Sequence, residues 1–527
     1  MQRTLIFSFF ASLALTAFSD STHLNLIDSK IHSQMQMKAL SFANSINVKN
    51  TYSHLEEFMT IASRNENNRS AGTKGYDDSA LYVAQTLLYA GYSVRLFPFE
   101  FKEFNKVSAP VVSYQTNEEA APLVEGTDFD LLAYSASGIV TAPIAGVDLQ
   151  LGPENQTTSG CEPEDFANFP AGHIAFIQRG TCTFQAKAEN AAKAGALAVV
   201  IFNQGNSADR EGLFSGSLTG EYAGEIAVIG MPTAIALRLL ETNDLLLSMN
   251  VQTKVDVKTT HNVIADSKYG NPDNLVVLGS HLDSVHDGPG INDNGSGSAG
   301  LLEVALQLAS VKTNNQLRFA WWGAEELGLV GSRKYVESLS ESEKAKIALY
   351  LNFDMIGSTN YVFGVFDGDG STHGTAGPAG SAAIEQLYNL YFASTGVSPT
   401  AVALSGRTDY VAFAEAGLPV GGLFTGAEGT KSKEEVKNYG GVENAPYDPC
   451  YHQSCDNLEN ISLKALEQNV KAIAFTALSF GYSTAPVDQQ KEQAKRDSKA
   501  LSAINSKTRN QSERVYHLDR FGVVSEQ

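Results

Sequence analysis

Five short segments of this sequence carry residue types that bind metals or move protons. Gly279-Ser280-His281-Leu282-Asp283 holds an imidazole and a carboxylate, and Ile291-Asn292-Asp293-Asn294-Gly295 holds an acid among glycines. Gly323-Ala324-Glu325-Glu326 holds adjacent acids, Asp354 follows an apolar run, and Tyr451-His452 stands between Cys450 and Cys455. Taken singly, a strand-end Asp is usually a cap and a lone His a structural residue. A carboxylate or imidazole at several strand ends of one sheet is not explained by capping. Imidazole and carboxylate are the ligands that hold zinc where catalysis needs an open position; all-cysteine sets belong to closed sites. A metal pair about 3.5–4 Å apart needs one shared ligand and two more for each ion, and a carboxylate bridges where an imidazole does not. His281, Asp293, Glu326, Asp354 and His452 supply that count. Glu325 is left over and suits a general base acting on a water shared by the metals. Asp283, two residues past His281, can accept the ring's second N–H and fix its tautomer, with an N-cap as its alternative role.

The elements that must position these residues are readable from periodicity. Leu275 to Gly279, Leu317 to Trp322 and Leu349 to Asp354 are apolar runs suited to buried parallel strands. Helical patterns follow at Ser298 to Leu308, Gly331 to Leu339, Ala382 to Ser394 and Leu463 to Phe480. This alternation predicts an α/β fold with a mixed, mainly parallel twisted sheet flanked by helices, whose ligands gather at the carboxyl ends of the strands. Upstream, Tyr52 to Ile61 and Asp77 to Tyr89 read as helices, and Ser93 to Phe101 alternates like a strand. The stretch 107–258 differs in character. It has short β-like runs at Gly138 to Ala145, His173 to Gln178 and Ala198 to Asn203, and one helix, Thr183 to Ala194, stopped by Gly195. It reads as a β-rich insert dividing a domain made of 51–106 and 259–485. Residues 20–50 are expected as an N-terminal arm or pro-segment, and 486–527 as a polar C-terminal tail.

At 527 residues, 43% hydrophobic and 18% charged, the chain is globular and too long for one ordinary domain. A net charge of −20 argues against a nucleic-acid partner, since phosphate needs a basic footprint. Arg3, the apolar run Leu5 to Phe18 and the small-x-small Ala17-Phe18-Ser19 read as a signal peptide, 1–19, cleaved after Ser19. No other apolar stretch is long enough to span a membrane. The expected location is therefore extracellular or periplasmic. The four cysteines agree, falling as local pairs, Cys161 with Cys182 and Cys450 with Cys455, that favour two disulfides over a zinc knuckle.

At these residues the chain resembles the co-catalytic di-zinc aminopeptidases, including the secreted bacterial leucyl type and fungal aminopeptidase Y. The resemblance rests on Gly279 to Ser284, Asn292 to Gly297, Trp322 to Gly328, Asn352 to Gly357 and Tyr451-His452, with Asn68 to Thr73 and Gly91-Tyr92 upstream. The insert resembles a protease-associated domain through Gly180-Thr181-Cys182-Thr183-Phe184 and the following helix. Together the likeness spans about Tyr52 to Thr484.

The resemblance implies a zinc exopeptidase fold, two Zn2+ per chain, and hydrolysis of the N-terminal residue from peptide substrates. It implies zinc ligands at His281, Asp293 (bridging), Glu326, Asp354 and His452, the base at Glu325, and a carbonyl-polarising hydroxyl at Tyr451. It matches Arg407 and Asp409 to a segment near the substrate amine and makes the Asp293–Asn294 peptide cis. Two rivals share the fold: a glutamate-releasing carboxypeptidase, which needs basic residues for a terminal carboxylate, and a metal-free binding protein, which the intact ligand set disfavours. A one-zinc glutaminyl cyclase is disfavoured on the same ground.

Overall fold

The apolar runs form the middle of an eight-stranded sheet. A computed structural model of the chain describes residues 34–219, 222, 224–500 and 502, so the expected signal segment 1–19 lies outside the described residues. One unit runs to Phe99 and resumes at Thr260, and a second comprises Glu100–Thr259. The division falls within two long strands, Ser93–Lys106 and Thr253–Asp266, a few residues from the composition change near 107 and 258.

In the first unit the strands are β1 (Ser93–Lys106), β2 (Thr253–Asp266), β3 (Asn271–His281), β4 (Asn315–Trp322), β5 (Ile347–Phe353), β6 (Gly364–Phe366), β7 (Thr400–Val402) and β8 (Val420–Phe424). Their order is β1-β2-β4-β3-β5-β8-β6-β7. The central neighbours β4, β3, β5 and β8 run parallel, whereas β2 on β4 and β6 on β8 are antiparallel. The helices used below are α1 (Val48–Ser63), α2 (Lys74–Tyr89), α3 (Gly297–Leu308), α4 (Val330–Ser338), α5 (Ser381–Ser394), α6 (Tyr410–Glu415) and α7 (Leu463–Tyr482).

Successive strand residues point to opposite faces, so each central strand serves two cores. Val276, Leu278, Leu317 and Phe319 join Leu55 and Phe58 of α1, Leu301 and Val304 of α3, and Val470 and Ile473 of α7. Val277, Ala320, Trp322 and Tyr350 join Tyr335 of α4 and Phe413 of α6 on the other side. Among the described residues no helix is long and apolar enough to cross a membrane.

The second unit has its own eight-stranded sheet, with Gly138–Val147, Ile174–Gln178, Ala198–Phe202 and Ala227–Met231 parallel at its heart. Thr183 caps the helix Phe184–Lys193, accepting from the Ala186 N–H, and Gly195 follows at φ +84°. A disulfide joins Cys161 and Cys182 across this region.

Near both limits of the described residues the structure differs from the sequence expectation. Residues 34–45 are helical, and Ala39, Ala43 and Ile46 are buried in the core of the first unit. Residues 485–500 are also helical, although 486–527 is expected as a polar tail; 501 and 503–527 lie outside the described residues. Val487 anchors this helix in the same core, and pairs such as Lys495–Glu492 support its exposed remainder. A chain beginning at Val48 loses the burial of Ala39, Ala43 and Ile46, roughly 2–4 kcal/mol. Its denaturation midpoint is expected to fall accordingly, and an unchanged midpoint would show that this segment is not part of the stable core.

Candidate metal centre

Register brings the strand ends level. His281 pairs with Trp322 across β3 and β4, and Gly279 pairs with Asn352 across β3 and β5. The residues that follow these ends, Glu325 and Glu326 after β4 and Asp354 after β5, therefore meet His281 at one edge. Asp293 stands at the centre. Its Oδ1 lies 3.3 Å from His281 Nε2, which is also 3.3 Å from Asp354 Oδ1. Its Oδ2 lies 3.2 Å from His452 Nε2, which is 3.1 Å from Glu326 Oε2. One carboxylate thus faces two separate ligand pairs with different oxygens. His281, Asp293 and Asp354 form one group able to hold an ion; Asp293, Glu326 and His452 form another. Glu326 Oε1 is buried without a hydrogen-bond partner among the described residues, so a lone pair remains for a cation.

The Asp293 loop is held by backbone contacts on all sides. The Asp293–Asn294 peptide is cis. Asn294 donates to Ser280 Oγ and the Phe353 carbonyl and accepts from the Gly297 and Met355 N–H groups, which ties β3, β5 and α3 together. It is wholly buried, so its Asn-Gly-Ser sequon presents no acceptor at the surface. Asp456 accepts from the Asn292 and Asp293 N–H groups, each at 2.9 Å, and Asp448 accepts from the Asn292 amide at 2.6 Å. Between these two acids the Cys450–Cys455 disulfide closes the turn carrying Tyr451 and His452. Buried Arg69 donates to the Leu282, Pro289 and Gly290 carbonyls and so spans the chain between His281 and Asp293. Ala324, Met355 and His452 have φ of +57°, +47° and +57°. Such left-handed conformations cost non-glycine residues of order 1–3 kcal/mol and cluster where a site fixes direction.

Asp283 accepts from the Glu325 and Glu326 N–H groups, each at 3.2 Å, and so orients both glutamates. Its part beside His281 differs from expectation. The ring Nδ1 lies 3.1 Å from the Asp283 carbonyl oxygen and 3.7 Å from its carboxylate. The Tyr451 ring stacks on His452 with centroids 3.8 Å apart, and its hydroxyl accepts from Arg407 at 3.2 Å. Arg407 lines the cleft and also binds Glu428 at 2.6 Å. Asp409 departs from the matched role: it is wholly buried and not among the cleft-lining residues. Arg69, Asp448 and Asp456 escaped sequence reasoning as site-builders, though Arg69 lies within the family-like Asn68 to Thr73.

These carboxylates press on one another. Burial and the Asp293 charge push Glu326 up to about 7. Burial, with Asp354 and Asp283 nearby, pushes Asp409 up to about 7, and Glu325 is raised well above its ordinary value chiefly by burial. Burial opposes charging of His452, but its bonds to Asp293 and Glu326 win and raise it to about 10. His281 is raised in the same way, against its burial, by Asp354 and Glu325. Asp293 is held below the usual range: burial works against this, and its bonds to His281 and His452 prevail. A divalent cation reverses this arrangement, because it neutralises the acids and takes the imidazole lone pairs.

Without metal, then, the folded chain holds protons that the unfolded chain releases. The stability associated with raised Glu326 and Asp409 is complete below their ordinary values of 4.5 and 3.8 and is lost as pH rises through about 7. The His452 contribution is complete below 6.5 and is lost toward 10, in the same direction. Lowered Asp293 matters only below 3.8. The metal-stripped protein is therefore expected to melt at progressively lower temperature from about pH 5 to pH 8, with a flatter profile once metal is restored. Calorimetry at fixed ionic strength checks this; a stripped protein more stable at pH 8 than at pH 5 contradicts it.

The pattern described as Peptidase family M28 matches residues 262–477, and that described as PA domain matches residues 140–239. An aminopeptidase of Pseudomonas aeruginosa is 46% identical over 91% of this chain and 89% of its own. Leucine aminopeptidase 2 of Trichophyton tonsurans is 37% identical over 84% of this chain and 85% of its own. Among solved structures, an aminopeptidase from Aneurinibacillus sp. strain AM-1 superposes with a TM-score of 0.67 at 29% identity, covering 83% of this chain and 95% of that one. A zinc aminopeptidase from Bacillus subtilis gives 0.55 at 26% identity, covering 82% and 94%. With the first pattern lying over the first unit's sheet, the second over the second unit, and a 46% identical relative matching over 91% of the chain, the chain belongs to Peptidase family M28 and carries a PA domain.

Proposed function

We propose that this chain is a secreted aminopeptidase that works with two zinc ions. One observation carries the reading: Asp293 turns one oxygen to His281 and Asp354 and the other to His452 and Glu326. The donor set fits zinc, being imidazole and carboxylate with the open cleft on one side. His281, Asp293 and Asp354 would hold one ion and Asp293, Glu326 and His452 the other. When bound, the pair supplies a Lewis acid for the scissile carbonyl and makes a water acidic enough to attack at neutral pH.

The chain's own residues do the rest. Glu325 lines the cleft within reach of His281 and Glu326 but outside the two groups that share Asp293, and there it takes the attacking water's proton and returns it to the leaving amine. Tyr451, braced by Arg407, donates its hydroxyl toward the carbonyl oxygen as negative charge develops there. Asp283 fixes the angle between Glu325 and Glu326 through their N–H groups. The substrate's ammonium group meets a cleft lined by Glu325, Glu326 and Asp354, and Met355, Phe366, Val402 and Phe424 offer an apolar wall for the first side chain. Among the described residues Arg407 is the sole Arg or Lys lining this cleft, and its engagement by Glu428 disfavours a carboxypeptidase, which needs a cationic partner for a terminal carboxylate. Secretion is supported by the N-terminal apolar run and by the absence of free cysteine among the described residues.

Zinc-loaded protein is expected to cleave aminoacyl peptides and to spare N-acetylated peptides, including N-acetylated peptides that end in glutamate. Glu325→Gln should lower kcat by about 10²–10⁴-fold with zinc content retained, whereas Glu326→Gln should lose metal. Equal hydrolysis of acetylated and free peptides would contradict the exopeptidase assignment. Zinc loss in Glu325→Gln would reverse the two roles.

A further inference from the structure

A third group of acids stands apart from the centre, at the end of β6. The segment Asp367-Gly368-Asp369-Gly370-Ser371 leaves that strand, and Glu385 approaches it from α5. Asp367, Asp369 and Glu385 each offer an oxygen within 4.8 Å of the others. Asp367 is wholly buried. Its Oδ2 accepts from the Thr372 and His373 N–H groups at 3.0 and 2.7 Å, but its Oδ1 is sealed from solvent with no donor among the described residues. A buried carboxylate oxygen without a partner costs free energy unless something positive meets it. None of the three acids forms an ion pair with a described Lys, Arg or His, although salt bridges elsewhere are frequent. The His373 ring is turned away to the Ala401 carbonyl, 3.1 Å distant. Burial raises Glu385, and the Asp369 and Asp367 charges raise it further, against the Asp369 and Gly368 N–H groups it accepts.

We propose that Asp367, Asp369 and Glu385 form a calcium site separate from the catalytic centre. The donors are all oxygen, with no imidazole or thiolate turned inward, which favours a hard cation over zinc. Alternation of acid and glycine along 367–370 lets successive carboxylates face one point, and Gly370 takes the φ of +70° that the turn needs. Asp369 and Glu385 keep the site open to solvent, so water completes the coordination. The ion braces the cleft wall from behind. Phe366 precedes Asp367 directly, and the Asp367 N–H donates to the carbonyl of Val402 at 2.8 Å; both Phe366 and Val402 line the cleft.

The test uses the full chain, loaded with zinc and titrated with calcium chloride. Extracellular calcium modules bind at about 10⁻⁴–10⁻³ M, so about 10 mM calcium is expected to raise the melting temperature by roughly 2–4 °C. Calorimetric titration should return one calcium per chain. In Asp369→Asn, an exposed change that leaves the buried Asp367 hydrogen bonds intact, the shift and the titration heat should both vanish while zinc content and kcat persist. Asp367→Asn, which keeps the shape of the buried side chain, should behave alike. No shift and no heat in the unaltered chain overturns the proposal, and so does an undiminished calcium response in folded Asp369→Asn.

Discussion

The structure is organised around a concentration of negative charge that the chain cannot neutralise alone. Asp283, Asp293, Glu325, Asp354 and Asp409 are buried around His281, with Glu326 and His452 beside them. The nearby buried guanidinium, Arg69, spends its donors on the carbonyls of Leu282, Pro289 and Gly290 and not on any of these acids. Burial even lowers Arg69 to about 10, despite Asp283, Asp456 and Asp293. Isolated buried carboxylates are among the costliest features a protein can carry, and divalent cations resolve that cost while supplying chemistry. The parallel sheet, the left-handed residues Ala324, Met355 and His452 and the clamp from Asp448 and Asp456 make sense as parts that hold like charges together against their repulsion.

Much of this was legible before any coordinates. The ligand types follow strands whose apolar runs announce themselves, and the boundaries of β4, β5 and α3 shift from expectation by only a residue or two. The supporting residues were not legible for a physical reason. Asp448 and Asp456 lie in a Cys-, Asn- and Pro-rich turn where an Asp commonly caps or closes a loop, and only tertiary contact shows that their acceptors face the Asp293 backbone. Residues 34–46 carried a signal, with Ala39, Ala43 and Ile46 at helical spacing, but Met37 and Leu40 fall off that stripe and blur the periodicity. The strands Gly364–Phe366 and Thr400–Val402 are three residues each and too short for alternation to register.

Asp409 marks a limit of reading function from a matched segment. Its neighbours do reach the site, with Thr408 donating to Asp354 Oδ2 at 2.6 Å and Arg407 bracing Tyr451. The Asp409 side chain instead turns inward, where both oxygens lack partners among the described residues. Sequence adjacency placed the region, but Asp409 already has helical backbone angles at the start of α6 and leaves the cleft to Arg407 and Thr408.

The central claim is that Asp293 is shared between two ions, and anomalous diffraction at the zinc edge from crystals of the zinc-loaded protein tests it most directly. The account predicts two peaks about 3.5–4 Å apart, one beside His281 and Asp354 and one beside His452 and Glu326, with the Asp293 carboxylate between them. A single peak in catalytically active crystals, or two peaks with Asp293 bound to only one, would contradict it.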